Sequence, residues 1–404
     1  MTDLSDSITR IANADYSHSH ALPDQPWWEN LESNFHKFPN GFELDLKTRS
    51  MVNATVVQDV ILRTLAATLI ASCCAPMTLG RLKKWDTSRD AEFYRNLANR
   101  GAREAFFKKP EAVVEVEVTD PRWVLFKPED GVCKNLAFES PFTPVNQDFT
   151  DRYLKHSNNR TAIAQHWRHD GSPRPTLCVI HGFMADAYWA NSKFLALEWF
   201  YKQGYDVLLY TLPFHGKRQG ALSPFSGYGY FSGGFAQFNE SVAQSIYDLR
   251  LFLDYLQANG VSQFGVTGIS LGGYTASVLA NVEERLEFCI PNVPVVSPPD
   301  LFLEWSPMNA VLKATMAVSG VSVRELRHLM AVHSPLSYKP KLDRERLMII
   351  AGAGDRLAPP KYCRLLWEHW DRCRIHWFPG NHLVHLDQGR YLKEMLAFMR
   401  NLNF

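Results

Sequence analysis

From about residue 160 onward the chain alternates short apolar runs with longer amphipathic stretches, and several of the apolar runs stop at a glycine or proline. "RTAIAQHWRH" (160–169) reads as a strand, "PTLCVIHG" (175–182) as a buried strand ended by glycine, and "DVLLYTLP" (206–213) as another stopped by Pro213. "SKFLALEWFYKQGY" (192–205) lies between them and is predicted as one helix closed by Gly204. A helix over about 236–258 carries Val242, Ile246, Leu249, Leu253 and Leu256 on one stripe and ends at Asn259 and Gly260. The pattern continues through "QFGVTG", "GGYTASVLANV" and "EFCIPNVPVV". It then closes with "RLMIIAG" and "PKYCRLLWEHW", followed by "RIHWFPG" and "LDQGRYLKEMLAFMRNL". Repeated strand–helix units of this kind require an α/β fold: a mostly parallel, twisted sheet with helices on both faces.

Two regions depart from that rhythm. Residues 1–50 are polar and aromatic, with "WWENLESNFHKF" as a docking segment, and 51–110 read as helical. Residues 1–110 are therefore expected to form a helical N-terminal docking extension, and 111–404 the main domain. At the start of that domain, "EAVVEVEVTD" (111–120) partly alternates and "RWVLFKP" follows, so short strands are expected there. Residues 298–340 are helical, rich in Leu, Met and Val, and too long for an ordinary connection; they are expected to form a helical lid insertion.

Composition excludes several function classes. Of 404 residues, 46% are hydrophobic, enough for a sizeable core, and the formal net charge of +1 with no basic run argues against a nucleic-acid partner. The 13% aromatic share, including 11 Trp, fits a protein with an apolar pocket or surface. Seven Cys, an odd number without a CxxC motif, predict reduced, buried thiols in a reducing compartment. The first 25 residues lack the charged and apolar regions of a secretory signal, so the expected location is cytoplasmic. Arg63 and Pro76 interrupt the most apolar stretch (56–80), leaving it short for a membrane span. It is expected to be a helix packed on the main domain, with peripheral membrane contact as the alternative. "SHSH" (17–20) and "HWRH" (166–169) lack Cys or carboxylate partners at ligand spacing, and there is no P-loop or helix-opening GxGxxG, so no metal or cofactor is expected. The pattern does not specify an oligomeric state.

One stretch carries a chemical signature. In "GVTGISLGGYTAS" (265–277), Gly268, Ser270 and Gly272 form G-x-S-x-G between a strand and a helix. At such a turn the serine takes a strained backbone conformation that only small neighbours permit, and its hydroxyl is presented at a helix N-terminus. A nucleophilic serine needs a base, and His382, in the loop after the last strand, is the candidate; His385, three residues on, is its rival. The imidazole needs a carboxylate, which Asp355 in "MIIAGAGDRLAPP" supplies 27 residues earlier, with Asp300 as the rival acid. The oxyanion requires donors: the N–H of Leu271, and a second from "VIHGFMADA", where Phe183 is the first choice and Met184 the next. Gly182 and Met184 are expected to line the substrate site. His181 and His215 are read as structural, Lys217 and Arg218 as solvated charges, with contact to an anionic head group as their alternative. The glycine–aromatic run "SPFSGYGYFSGG" (223–234) is read as a surface loop or an apolar wall of the acyl site.

The order of "HGF" (181–183), "LPFHGKRQG" (212–220), "GISLGG" (268–273), "GAGDRLAPP" (352–360) and "GNHLVHL" (380–386) resembles the α/β-hydrolase superfamily over roughly residues 160–402. The resemblance implies that Ser270 attacks a carbonyl, that His382 shuttles the proton, and that water hydrolyses a covalent acyl-enzyme. The expected function is thus a serine esterase or lipase-like enzyme acting on a small-molecule ester or lipid with an apolar acyl group. A phospholipid deacylase is one subclass. Amide or peptide hydrolysis and acyl transfer remain alternatives on the same triad, and a catalytically silent, ligand-binding fold is the alternative outside enzymes.

Overall fold

Nine strands carry the α/β pattern among the residues described by the structure, a computed structural model covering 25–39, 46–79, 89–185 and 187–404. They are β1 (Glu117–Thr119), β2 (Gly131–Glu139), β3 (Thr161–His169), β4 (Thr176–Ile180), β5 (Asp206–Tyr210), β6 (Phe264–Ile269), β7 (Leu286–Asn292), β8 (Met348–Gly352) and β9 (Arg374–Phe378). The chain groups into two units. The Ser270 unit comprises Ala102–Pro291, Pro340–Leu342 and Leu402–Phe404; the His382 unit comprises the described part of Met1–Gly101, with Asn292–Lys339 and Asp343–Asn401.

In the Ser270 unit the strands run in the order β1-β2-β3-β5-β4-β6-β7. The first three pairings are antiparallel, whereas β4 pairs in parallel with both β5 and β6, Cys178 lying opposite Leu208 on one side and Val266 on the other. Every residue of β4, β5 and β6 is buried, as a sheet covered on both faces demands. The predicted apolar stripe lies on the helix Phe235–Ala258, where Val242, Ile246, Leu249, Leu253 and Leu256 are buried. The helix ends at Asn259, and Gly260 follows with φ +90.

Two expectations fail in this unit. "RWVLFKP" forms no strand; the long antiparallel partner of β3 is β2, "GVCKNLAFE", whose half-buried positions give only a weak alternation. "SKFLALEWFYKQGY" is not one helix but two, Tyr188–Phe194 and Leu197–Lys202, broken where Ala196 adopts φ 54.

In the His382 unit β8 and β9 pair in parallel, and Asn292 pairs in parallel with Ile350. The "WWENLESNFHKF" segment docks here. Trp28 stacks on His328 at 4.9 Å, Arg327 donates to the carbonyl oxygens of Leu31 and Glu32, and Lys361 donates to those of His36 and Phe38. Residues 298–340 form three helices, Pro298–Glu304, Met308–Ser319 and Val323–Ala331. The long helix Leu46–Leu79 buries Val52, Asp59, Ala67, Ile70 and Ala71, and exposes Val57, Ile61, Leu65 and Leu69 on a stripe of four-residue spacing. Among the described residues no helix is long and apolar enough to cross a membrane.

Cys133, Cys178, Cys289, Cys363 and Cys373 are buried thiols outside any disulfide. "SHSH" and the side chains of Cys73 and Cys74 lie outside the described residues.

Candidate active site

The serine turn is built by steric exclusion. Ser270 follows the last residue of β6 and precedes the helix Leu271–Ala280, with φ 57 and ψ −115. That is a sparsely populated conformation for a residue with a Cβ, costing on the order of 1–3 kcal/mol, and it persists only where the surroundings enforce it. The flanking glycines are required by close approach. A Cβ on Gly268 would collide with the carbonyl of Gly272, and one on Gly272 with the carbonyl oxygens of Ile180 and His181. Ser270 itself stays half-buried, so its hydroxyl keeps access.

The loop after β4 lies against this turn. A Cβ on Gly182 would sit 3.4 Å from both the Ser270 Cβ and the Ile269 carbonyl oxygen. Met184 takes φ 62, and Ala185 N–H closes the turn onto the Gly182 carbonyl at 3.4 Å. Two histidines brace the loop. His181 Nδ1 donates to the Gly182 carbonyl at 2.7 Å, while its Nε2 accepts from Leu212 N–H at 3.1 Å. Burial first, with Arg218 adding to it, lowers the His181 pKa to about 4 despite the Gly182 bond. His215 Nδ1 donates to the Pro213 carbonyl at 2.8 Å, and burial depresses its pKa well below 6.5. Neutral and bonded to backbone, both histidines are structural.

Behind the loop stands an aromatic wall. The Phe183 ring meets Phe231 at 5.1 Å, Phe225 at 5.9 Å and His215 at 6.0 Å, each nearly edge to face. The glycine–aromatic run thus packs on the residue expected to donate to the oxyanion. One reading is corrected nearby: Arg218 is not a solvated charge. It is buried, pairs with Asp248 at 2.6 Å, and donates to the carbonyls of Thr211 and Asn159, which anchors the 212–220 turn. Lys217 is exposed.

The His382 unit holds an acid–base pair. Asp355 follows β8, and His382 lies in the loop after β9. The His382 Nδ1–H donates to Asp355 Oδ2 at 2.6 Å, which leaves the lone pair on Nε2. Asp355 Oδ1 accepts from the N–H groups of Leu357 and Ala358, both at 2.8 Å, so the carboxylate is fixed in orientation. Both side chains are buried. Burial, the largest single influence on His382, disfavours its charged form. The charge and hydrogen bond of Asp355, followed by the charge of Asp59, outweigh it and raise the pKa above 6.5.

The rivals are engaged elsewhere. Asp300 makes a two-oxygen ion pair with Arg327 at 2.6 and 2.8 Å, with both side chains fully buried, and accepts from Ser297 Oγ. His385 Nε2 donates to the His382 carbonyl, its Nδ1 accepts from Tyr391 Oη, and its pKa falls to about 4, chiefly through burial. In "HWRH", His169 bonds to Asp206 at 2.8 Å and stacks on Tyr201 at 3.7 Å.

Sequence reasoning missed Asp59. This buried residue of the helix Leu46–Leu79 accepts at Oδ2 from the backbone N–H groups of both Arg356 and His382, each at 3.0 Å. The only sequence signal was a carboxylate inside the most apolar stretch of the chain.

The structure therefore brings Gly182, Phe183, Ser270 and Leu271 together in one unit, and Asp59, Asp355 and His382 together in the other. The fold, with its strand–turn–helix at Ser270, is that of an α/β-hydrolase. It is 30% identical over 303 residues to the uncharacterized protein Rv2627c of Mycobacterium tuberculosis H37Rv, covering 72% of this chain and 68% of that one. The uncharacterized protein MT2702 of Mycobacterium tuberculosis CDC 1551 matches at the same identity and coverage. No family model matches the chain. Among solved structures, acetyl xylan esterase 1 from Thermoanaerobacterium sp. JW/SL YS485 aligns with a TM-score of 0.54 at 14% identity, over 80% of this chain and 98% of that one. The acetyl xylan esterase of Paenibacillus sp. R4 aligns with a TM-score of 0.52 at 14% identity, over 79% and 98%. At that identity these likenesses describe the fold.

Proposed function

We propose that the protein is a serine hydrolase that cleaves carboxylic esters with an apolar acyl group, using Ser270 as nucleophile, His382 as base and Asp355 as the acid partner. The observation that carries this reading is the strained Ser270 turn, with φ 57 and ψ −115, enforced by Gly268 and Gly272 at the start of a helix. Nothing in packing alone calls for a serine in that conformation. The acid–base pair supports it, because Asp355 holds the His382 tautomer whose Nε2 can accept a proton.

In the proposed reaction the Ser270 Oγ attacks the ester carbonyl carbon as its proton passes to His382 Nε2. The negative charge that develops on the carbonyl oxygen is received by the N–H groups of Leu271 and Phe183. The tetrahedral intermediate expels the alcohol, which takes the proton from His382, and an acyl-Ser270 ester remains. Water then attacks that ester with His382 again as base, which releases the carboxylic acid and restores the serine. Asp355 orients and stabilises the imidazolium at each step. The Phe183–Phe225–Phe231 wall supports the preference for an apolar acyl chain.

The test is a series of p-nitrophenyl esters of increasing acyl length, run with wild-type protein and Ser270→Ala. The expected result is turnover that rises from acetate to a medium-length chain and is lost in the variant. Turnover retained by Ser270→Ala would rule out the proposed nucleophile. Turnover confined to acetate would rule out the apolar acyl site.

A further inference from the structure

We infer that Asp59, contributed by the helix Leu46–Leu79 from outside the strand–helix core, is a positioning residue that clamps the acid loop and the base loop to each other. The inference rests on the triad reading above, which it deepens.

The geometry is specific. One carboxylate oxygen, Asp59 Oδ2, accepts two backbone N–H groups, that of Arg356 next to Asp355 and that of His382 itself. These donors lie in two different loops, one after β8 and one after β9. A single atom from a third element therefore sets the spacing between the residues that form the 2.6 Å Asp355–His382 hydrogen bond. The helix is tied to the same place a second time. Arg63, four residues on and hence on the same helical face, donates from Nη1 to the Arg356 carbonyl at 3.1 Å. The helix also approaches Gly354 closely, where an added Cβ would meet Val52 Cγ1 at 2.5 Å.

The location is costly for an acid, and so unexpected if packing were its only purpose. Asp59 is fully buried, and its Oδ1 has no hydrogen-bond partner among the described residues. Burial first, then repulsion from Asp355, pushes its pKa up to about 6 against the two N–H bonds that lower it. The groups facing it are Asp355, His382, Arg356 and Arg63, and Glu304 acts on Arg63 in turn. Asp59 in turn adds to the rise in the pKa of His382. An uncharged amide oxygen could also accept both N–H groups, though less strongly. A carboxylate also favours the imidazolium that His382 becomes during the reaction.

Two variants separate these contributions. Asp59→Asn keeps an acceptor oxygen and removes the charge. Asp59→Ala removes both. With wild-type folding shown by circular dichroism, Asp59→Ala is expected to lower kcat by on the order of 10²-fold with KM little changed, the cost of misplacing a catalytic group by about 1 Å. Asp59→Asn is expected to recover most of that kcat while its acidic limb in kcat/KM moves to lower pH, because the charge that helped raise the His382 pKa is gone. Hydrogen exchange measured by mass spectrometry gives a readout independent of chemistry: peptides covering 353–358 and 379–386 should both exchange faster in Asp59→Ala than in wild type and Asp59→Asn. Unchanged exchange in both peptides, or wild-type kcat together with a wild-type acidic limb in Asp59→Ala, would overturn the inference. If wild-type Ser270 proves unreactive, the proposed hydrolysis falls, and the exchange result still decides whether Asp59 clamps the loops.

Discussion

Asp355→Asn removes the charge that faces His382 while keeping the shape of the side chain. In the native protein Asp355 Oδ1 is held by the N–H groups of Leu357 and Ala358, and Oδ2 faces His382 Nδ1. An asparagine is isosteric, but only its oxygen can accept the two backbone bonds. Its amide NH₂ must therefore replace Oδ2 and point at Nδ1. An NH₂ group donates, so Nδ1 must accept, and the imidazole proton moves to Nε2. Nε2 can then no longer take the serine proton. Locking the wrong tautomer in a serine triad costs about 10⁴ in kcat, equivalent to about 5.4 kcal/mol of transition-state stabilisation. The shape of the site is unchanged, so KM should move little and the fold should persist. The assay is steady-state hydrolysis of a p-nitrophenyl ester at pH 8, with circular dichroism and a melting curve as controls. A kcat within tenfold of wild type would refute the assignment of Asp355 and the tautomer argument with it.

Three further outcomes follow from the same contacts. Asp300→Asn breaks a fully buried ion pair with Arg327 and should destabilise the protein by roughly 3–5 kcal/mol, seen as a lower denaturant midpoint; the folded fraction should retain its turnover, and loss of turnover without loss of stability would move the acid to Asp300. The pH dependence of kcat/KM should show an acidic limb with a pKa above 6.5, because only neutral His382 accepts the proton and Asp355 and Asp59 hold its pKa up; a limb below 6 would contradict that balance. Since the folded-state pKa of His382 is raised, its stabilising contribution is full below about 6.5 and is lost as pH rises through the folded value, so His382→Ala should lose more stability at pH 6 than at pH 9 in denaturant titrations.

Much of the fold was legible because its signals are local. A run such as "TLCVI", buried at every position, has no other comfortable place than the interior of a covered sheet. The glycines around Ser270 were readable for a similar reason, since each is demanded by a backbone contact within the strand–turn–helix and its neighbouring strand. What escaped depends on tertiary context. No glycine or proline marks the break at Ala196, where the chain takes a left-handed turn between two helices. β2 escaped because its half-buried positions blur the period-two pattern. Arg218 looked like a surface charge because its partner, Asp248, lies 30 residues away on the helix Phe235–Ala258. Asp59 was the least readable, because the backbone it serves at His382 is 323 residues further along the chain.

If Ser270 is a nucleophile activated by His382, its hydroxyl reacts covalently with an electrophilic phosphonate. Wild-type protein would be treated with a fluorophosphonate and the adduct located by peptide mass spectrometry. A single adduct on Ser270 is expected, absent in Ser270→Ala and formed far more slowly in His382→Ala. An adduct on another residue, or labelling of Ser270 at the wild-type rate without His382, would contradict that expectation.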